Sequence, residues 1–188
     1  MKEGLYFDDI GDSEKALDKY IKARSRVMTN DTLILESLNF RINEIARKWL
    51  NSAELLLDRG FHKDGLDLVK KVSSFYNIED KIINKFKSYV ILEEGKKLQS
   101  ILILGKAMEK YSEALKLNTD LESNVKALQY QAGIQLVELA NKVDAFDEVN
   151  LAVQSLEEAK ILSSSIGSTN EQLLKNLKEK LNSYSNYK

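Results

Sequence analysis

His62 is the single histidine in the chain, and cysteine is absent. Disulfides, thiolate zinc sites and multi-histidine metal sites are therefore excluded. A general base at His62 would need a nucleophile or an orienting carboxylate within reach. Its sequence neighbours Asp58 and Asp64 read equally well as solvated residues of the turn around Gly60 and Phe61. Asp8, Asp9 and Asp12 bring three carboxylates together. They lack the alternating oxygen ligands and terminal glutamate of a calcium loop, and read instead as a solvated helix end. These residues give no catalytic role, no metal site and no cofactor, so the sequence reads as that of a non-enzyme. An enzyme built from carboxylates and lysines on separate helices is the alternative, and it would require a deep polar pocket.

The 188 residues suffice for one domain that buries roughly 70% of its unfolded surface. Proline is absent and there are 8 glycines, so little interrupts a helix and an all-α protein is expected. With 28 basic and 29 acidic residues the formal charge is -1. No global field draws the chain to nucleic acid or to an anionic membrane, so any partner must be recognised locally. Basic and acidic residues are interspersed, and no cluster of aromatic and basic residues recurs. No apolar run approaches the ~18 residues of a membrane span, and residues 1–9 lack the apolar stretch of a signal peptide. The sequence thus reads as a soluble, cytoplasmic chain. Because residues 1–9 look like the middle of a helix, an exported or lipid-anchored protein whose upstream segment has been removed is the alternative.

Punctuation and period divide the chain into helices. Residues 1–10 and 13–28 flank Gly11-Asp12-Ser13 and read as one hairpin, the second helix carrying Ala16, Leu17, Tyr20, Ile21, Ala23 and Val27 at helical spacing. From Thr32 to about Arg59, Leu35, Leu38, Ile42, Ile45, Trp49, Ala53, Leu56 and Leu57 repeat every three to four residues, and Gly60 ends the run. Helices follow over 62–75 and 79–100. Ile101-Leu102-Ile103-Leu104 reads either as continued helix or as a buried turn. Its apolarity at an expected surface turn calls for cover, by the first helix or by another chain. Beyond it come 105–117, 120–143 opened by a capping box of Thr119 and Glu122, and 147–163. A final helix, 169–183, opened by Ser168 and Glu171, has Leu173, Leu174, Leu177 and Leu181 on one side and reads as a terminal cap.

The second helices share a pattern. Lys15-Ala16-Leu17-Asp18-Lys19-Tyr20-Ile21-Lys22-Ala23 is matched by Lys106-Ala107-Met108-Glu109-Lys110-Tyr111-Ser112-Glu113-Ala114. Leu151-Ala152-Val153-Gln154-Ser155-Leu156-Glu157-Glu158-Ala159 repeats it, and Gly65, Val69 and Val72 form a degenerate copy. Each sets a small residue, a large one four on and a small one three further. Those offsets fall on one helical stripe, so small residues admit a close neighbour and the large one fills the space between. Gly4, Ala53, Gly95 and Ala140 each lie twelve positions before the first small residue. The pattern resembles the second helix of the tetratricopeptide repeat family. Trp49 matches the family's early aromatic, and Leu115-Lys116-Leu117-Asn118-Thr119-Asp120 resembles its repeat ending without the proline. The anchors Ala16, Gly65, Ala107 and Ala152 are 49, 42 and 45 residues apart, against about 34 in the family. First helices longer by two or three turns are therefore expected.

The resemblance implies a single domain, 1–188, of tandem helical hairpins over 1–28, 32–75, 79–117 and 120–163 with a capping helix. It further implies a concave groove lined by the first helices that receives a peptide or an amphipathic helix. Carried over by position, the lining is Arg47, Leu50, Glu54 and Leu57 from the second hairpin. Tyr89, Leu92 and Lys96 come from the third, and Ile134, Val137 and Asn141 from the fourth. The bland reading is that the extra helix length folds these residues into the core. Trp49 reads as core packing rather than as an exposed anchor. The function this implies is that of an adaptor or assembly scaffold acting through protein–protein interaction. Homodimerisation through the same apolar face is the alternative.

Overall fold

The computed structural model describes residues 2–28 and 30–142 together with the isolated positions Lys175, Glu179 and Asn182; of 134 and 136–142 the backbone alone is described. The helices are α1 (Lys2–Asp9), α2 (Ser13–Arg24), α3 (Thr32–Asp58), α4 (His62–Ser73), α5 (Asp80–Ser100), α6 (Leu104–Leu117) and α7 (Glu122–Lys142). A 3-10 turn, Thr119–Leu121, precedes α7. The chain is all-α among the described residues, with no strand. The expected helices over 147–163 and 169–183, the Ser168 capping box and the third copy of the small-large-small pattern lie outside the described residues.

Three connections share one turn. Gly11 (φ 80°), Gly60 (φ 83°) and Leu102 (φ 62°) each adopt the left-handed conformation. Their N–H groups donate to Asp8, Leu57 and Gln99, each at 3.0 Å. The following N–H groups, of Asp12, Phe61 and Ile103, donate to Phe7, Leu56 and Leu98 at 2.8, 2.9 and 3.0 Å. This paired closure satisfies the carbonyls that a helix leaves open at its C-terminus. Ile101-Leu102-Ile103 is therefore a turn, and α6 begins at the buried Leu104. The turn residues Ile101, Leu102 and Ile103 are exposed, so the expected buried turn is not found; only Leu104, the first residue of α6, is buried. At the next connection the cap falls on Asn118 rather than Thr119: its side chain accepts from the Asp120 N–H at 3.1 Å.

Leucine pays for its Cβ at the left-handed position with strain of about 1–2 kcal/mol. Leu102→Gly is expected to raise stability by about 0.5–1 kcal/mol, since glycine's extra freedom in the unfolded chain returns part of that relief. A higher urea midpoint at unchanged m-value is the readout. A lower midpoint would mean that the Leu102 side chain itself holds the turn.

Cα packing divides the chain into two compact units, Met1–Phe86 and Lys87–Lys188. In the first, α2 packs between α1 and α3, and α3 packs on α4. Its core gathers Ala16, Leu17, Tyr20, Leu38, Ile42 and Ile45. Trp49 packs half-buried against this core, edge-on to Phe75 at 5.6 Å, with the Lys71 ammonium 4.7 Å from its ring centre. The second unit holds Leu92, Ala107, Tyr111, Ala114, Leu121 and Val125 together.

The small-large-small stripes have a defined partner in each unit. A Cβ added at Gly4 would lie 2.5 Å from Tyr20 Cε1, and one added at Gly95 would lie 2.6 Å from Tyr111 Cε1. Neither position admits a side chain without displacing a buried ring. Tyr20 donates its hydroxyl to Asp8 at 3.3 Å, and Tyr111 donates to Gln99. The Lys19 ammonium pairs with Glu3 at 2.7 Å, and that of Lys110 with Glu94 at 3.1 Å. Each position in one hairpin lies 91 residues from its counterpart in the other. Burial pushes the Tyr111 phenol up to about 12, with the charge on Glu93 acting in the same direction. Gly65 meets the same demand in its own way, against the Ala53 carbonyl and the Phe86 ring, both 3.2 Å from an added Cβ.

Candidate interaction surface

Helix α3 is 27 residues long and two-faced. Leu38, Ile42, Ile45, Ala46, Ala53 and Leu57 are buried on one side. At 3.6 residues per turn the opposite side carries Leu33, Phe40, Arg47 and Glu54, which recur every seven residues and so share a slowly drifting stripe. Leu33 is 80% exposed and Phe40 59%. Leu55 is exposed on the flank of this stripe, and Leu50 is half-buried. Arg47 reaches Glu44 at 3.5 Å, and Glu54 accepts from Lys85 at 2.8 Å, so charge is fixed along the helix between the apolar residues.

The positions expected to line a groove are thus divided. Arg47, Leu50 and Glu54 lie on or beside the exposed stripe of α3, whereas Leu57 is buried. In the second unit Leu92 is buried and Tyr89 packs against the same core, while Lys96 is exposed and lies 3.9 Å from Glu93. Ile134, Val137 and Asn141 fall on α7, where the backbone alone is described. Leu33 and Phe40 were not singled out by sequence reasoning. The signal was present: two large apolar residues a heptad apart, off the stripe of Leu38, Ile42 and Ile45, have no place in a one-sided helix unless something covers them.

Of the carboxylates weighed for chemistry, Asp8 and Asp12 hold local structure. Asp8 accepts from Tyr20 and lies 3.7 Å from Arg41. Asp12 caps α2 by accepting from the Lys15 N–H, and it also pairs with the Lys15 ammonium at 2.8 Å. The Lys15 contacts hold the Asp12 carboxyl below its ordinary range. Asp58 and Asp64 are exposed to either side of His62, which opens α4. Among the described residues no three acidic or histidine side chains are grouped to hold a metal ion. An open cleft of about 720 Å³ is lined by Lys2, Glu3, Lys19, Lys22, Ala23 and Arg26. Its lysines are largely neutralised, Lys19 by Glu3 and Lys22 by Asp18 at 2.8 Å. No helix among the described residues is long and apolar enough to cross a membrane. No protein-family model matches the chain, and no curated protein or solved structure matches it significantly.

Proposed function

We propose that this chain is a non-catalytic protein–protein interaction module, an adaptor or assembly scaffold of tetratricopeptide-like helical hairpins, which receives an amphipathic helix of a partner along the exposed stripe of α3. One observation carries the reading: Leu33 and Phe40 stand in solvent on a helix whose other face is already packed. Covering each of them would contribute about 1–2 kcal/mol. The charges of Glu44, Arg47 and Glu54 beside them set the register in which a partner helix lies. Catalysis has no part in this reading because the carboxylates weighed for it cap helices, bond tyrosine or face solvent.

Leu33→Ser with Phe40→Ser is expected to shift stability by no more than about 0.5 kcal/mol, the range of ordinary surface substitutions. The pair should abolish capture of the partner in an affinity purification followed by mass spectrometry. Undiminished capture by the double variant would remove the α3 stripe from the reading. Light scattering separates the homodimer: a wild-type dimer that becomes monomeric in the double variant would show a second copy as the occupant.

A further inference from the structure

The connection between α5 and α6 differs from the other two in a way that folding does not require. Its tip shows three consecutive aliphatics to solvent, Ile101 at 64%, Leu102 at 51% and Ile103 at 41%. The turn geometry is the one that Gly11 and Gly60 adopt without strain, yet the left-handed position here holds leucine. A strained and exposed leucine is unfavourable twice over for the isolated chain. The charge around the tip is equally particular. Between Glu94 and Glu109 the sequence contains Lys96, Lys97 and Lys106 and no acidic residue; Lys96 lies 3.9 Å from Glu93, and Glu94 is taken by Lys110. Lys97 and Lys106 are exposed and make no ion pair among the described residues. The first hairpin's tip, by contrast, carries Asp8, Asp9, Asp12 and Glu14 against Lys15, and at the second Asp58 and Asp64 are balanced by Arg59 and Lys63.

We propose that the α5–α6 tip is a membrane-docking site that inserts Ile101, Leu102 and Ile103 into the surface of an anionic bilayer while Lys97 and Lys106 remain among the headgroups. Charge complementarity selects the occupant, since an apolar point with a cationic collar is the arrangement that gains from hydrocarbon and anionic headgroups together. Area points the same way. Three partly exposed side chains at a turn offer far less than the ~800 Å² that each partner contributes to a stable protein interface. A fluid lipid surface closes around a point that a rigid protein surface would have to be shaped to hold. Lys97 and Lys106 have stems long enough to keep their ammonium groups in water as the tip enters. This site is independent of the α3 stripe, and its failure would leave that reading untouched.

The test is co-flotation of the purified full chain with vesicles of phosphatidylcholine alone or mixed with phosphatidylserine. Binding is expected on the mixed vesicles only, and it should weaken as salt is raised. Ile101→Ser with Ile103→Ser should reduce it at least about tenfold, and Lys97→Glu with Lys106→Glu by at least about tenfold, each lysine near such a surface counting for roughly fivefold. Circular dichroism checks that the variants fold. A second readout needs no loss of binding: because the chain has no cysteine, an environment-sensitive dye on Ile103→Cys should brighten and shift to the blue with mixed vesicles, and the same dye on Ile10→Cys should not. No flotation with either vesicle, binding that neither pair of substitutions alters, or a dye at Ile103→Cys that fails to respond would each overturn the proposal. So would a lipid-free dimer that the tip substitutions dissolve, since a second copy would then cover the tip.

Discussion

Tyr111→Ala is expected to cost about 3–5 kcal/mol, the range for removing a large aromatic from a packed core. Tyr111 is fully buried among Leu92, Ala107, Ala114, Leu121 and Val125. Its loss also strips Gln99 of a hydroxyl donor in a buried site, a further penalty of the kind that an unpaired polar group incurs. The diagnostic part is a reversal of sign at Gly95. In the wild-type chain Gly95→Leu drives its Cβ to within 2.6 Å of Tyr111 Cε1 and 3.2 Å of Lys110 Cβ, so it should destabilise by about 1–3 kcal/mol or more. In the Tyr111→Ala background the ring is gone, and the same leucine should recover stability by entering the vacated space. Urea unfolding of the two single variants and the double variant gives the coupling directly. Additive costs would mean that the glycine and the ring do not depend on each other.

Leu92→Lys should be about as damaging, at about 3–5 kcal/mol. The side chain is 3% exposed and belongs to the second unit's core. Lysine there loses the burial of leucine, about 1.5–3 kcal/mol, and must either discharge its ammonium or open the core to water. The measurement is again the urea midpoint, set beside that of the Leu33→Ser and Phe40→Ser pair. A midpoint unchanged from wild type would return Leu92 to the surface and to the groove lining implied by the repeat resemblance. The contrast between the two experiments separates residues that hold a helix in place from residues that helix offers to a partner.

Why Leu92 and Leu57 read as groove lining while Leu33 and Phe40 passed unnoticed has a physical explanation. Periodicity shows that a helix has an apolar side, but not which neighbour fills it, and a long first helix presents apolar residues at several angles. The turns at Gly11 and Gly60 were legible because glycine has little other reason to interrupt a strongly helical run. The matching turn at Leu102 was not, since a leucine in the left-handed conformation leaves no mark in composition. Even so, the small residues twelve positions before each anchor, and the tyrosines four after Ala16 and Ala107, were visible in the chain. What sequence alone could not supply was that Gly4 faces Tyr20 and Gly95 faces Tyr111, a contact sixteen positions long that exists only once both helices have turned back. The capping residue was misplaced by one position for a related reason. Asn118 and Thr119 both carry a suitable oxygen, and the intervening 3-10 turn decides between them.

The constant offset of 91 residues between the first and third hairpins makes them two versions of one joint. Exchanging 3–20 for 94–111 would preserve the glycine seat, the ring that fills it and the ion pair above it. Seven of the eighteen positions are identical, and among the differences are an amide in place of a carboxylate under the tyrosine, an aliphatic in place of glycine at the bend and an isoleucine in place of the capping Asp12. Because the bend lies apart from the ring, variation there can remodel each hairpin's end while the glycine seat stays as it is.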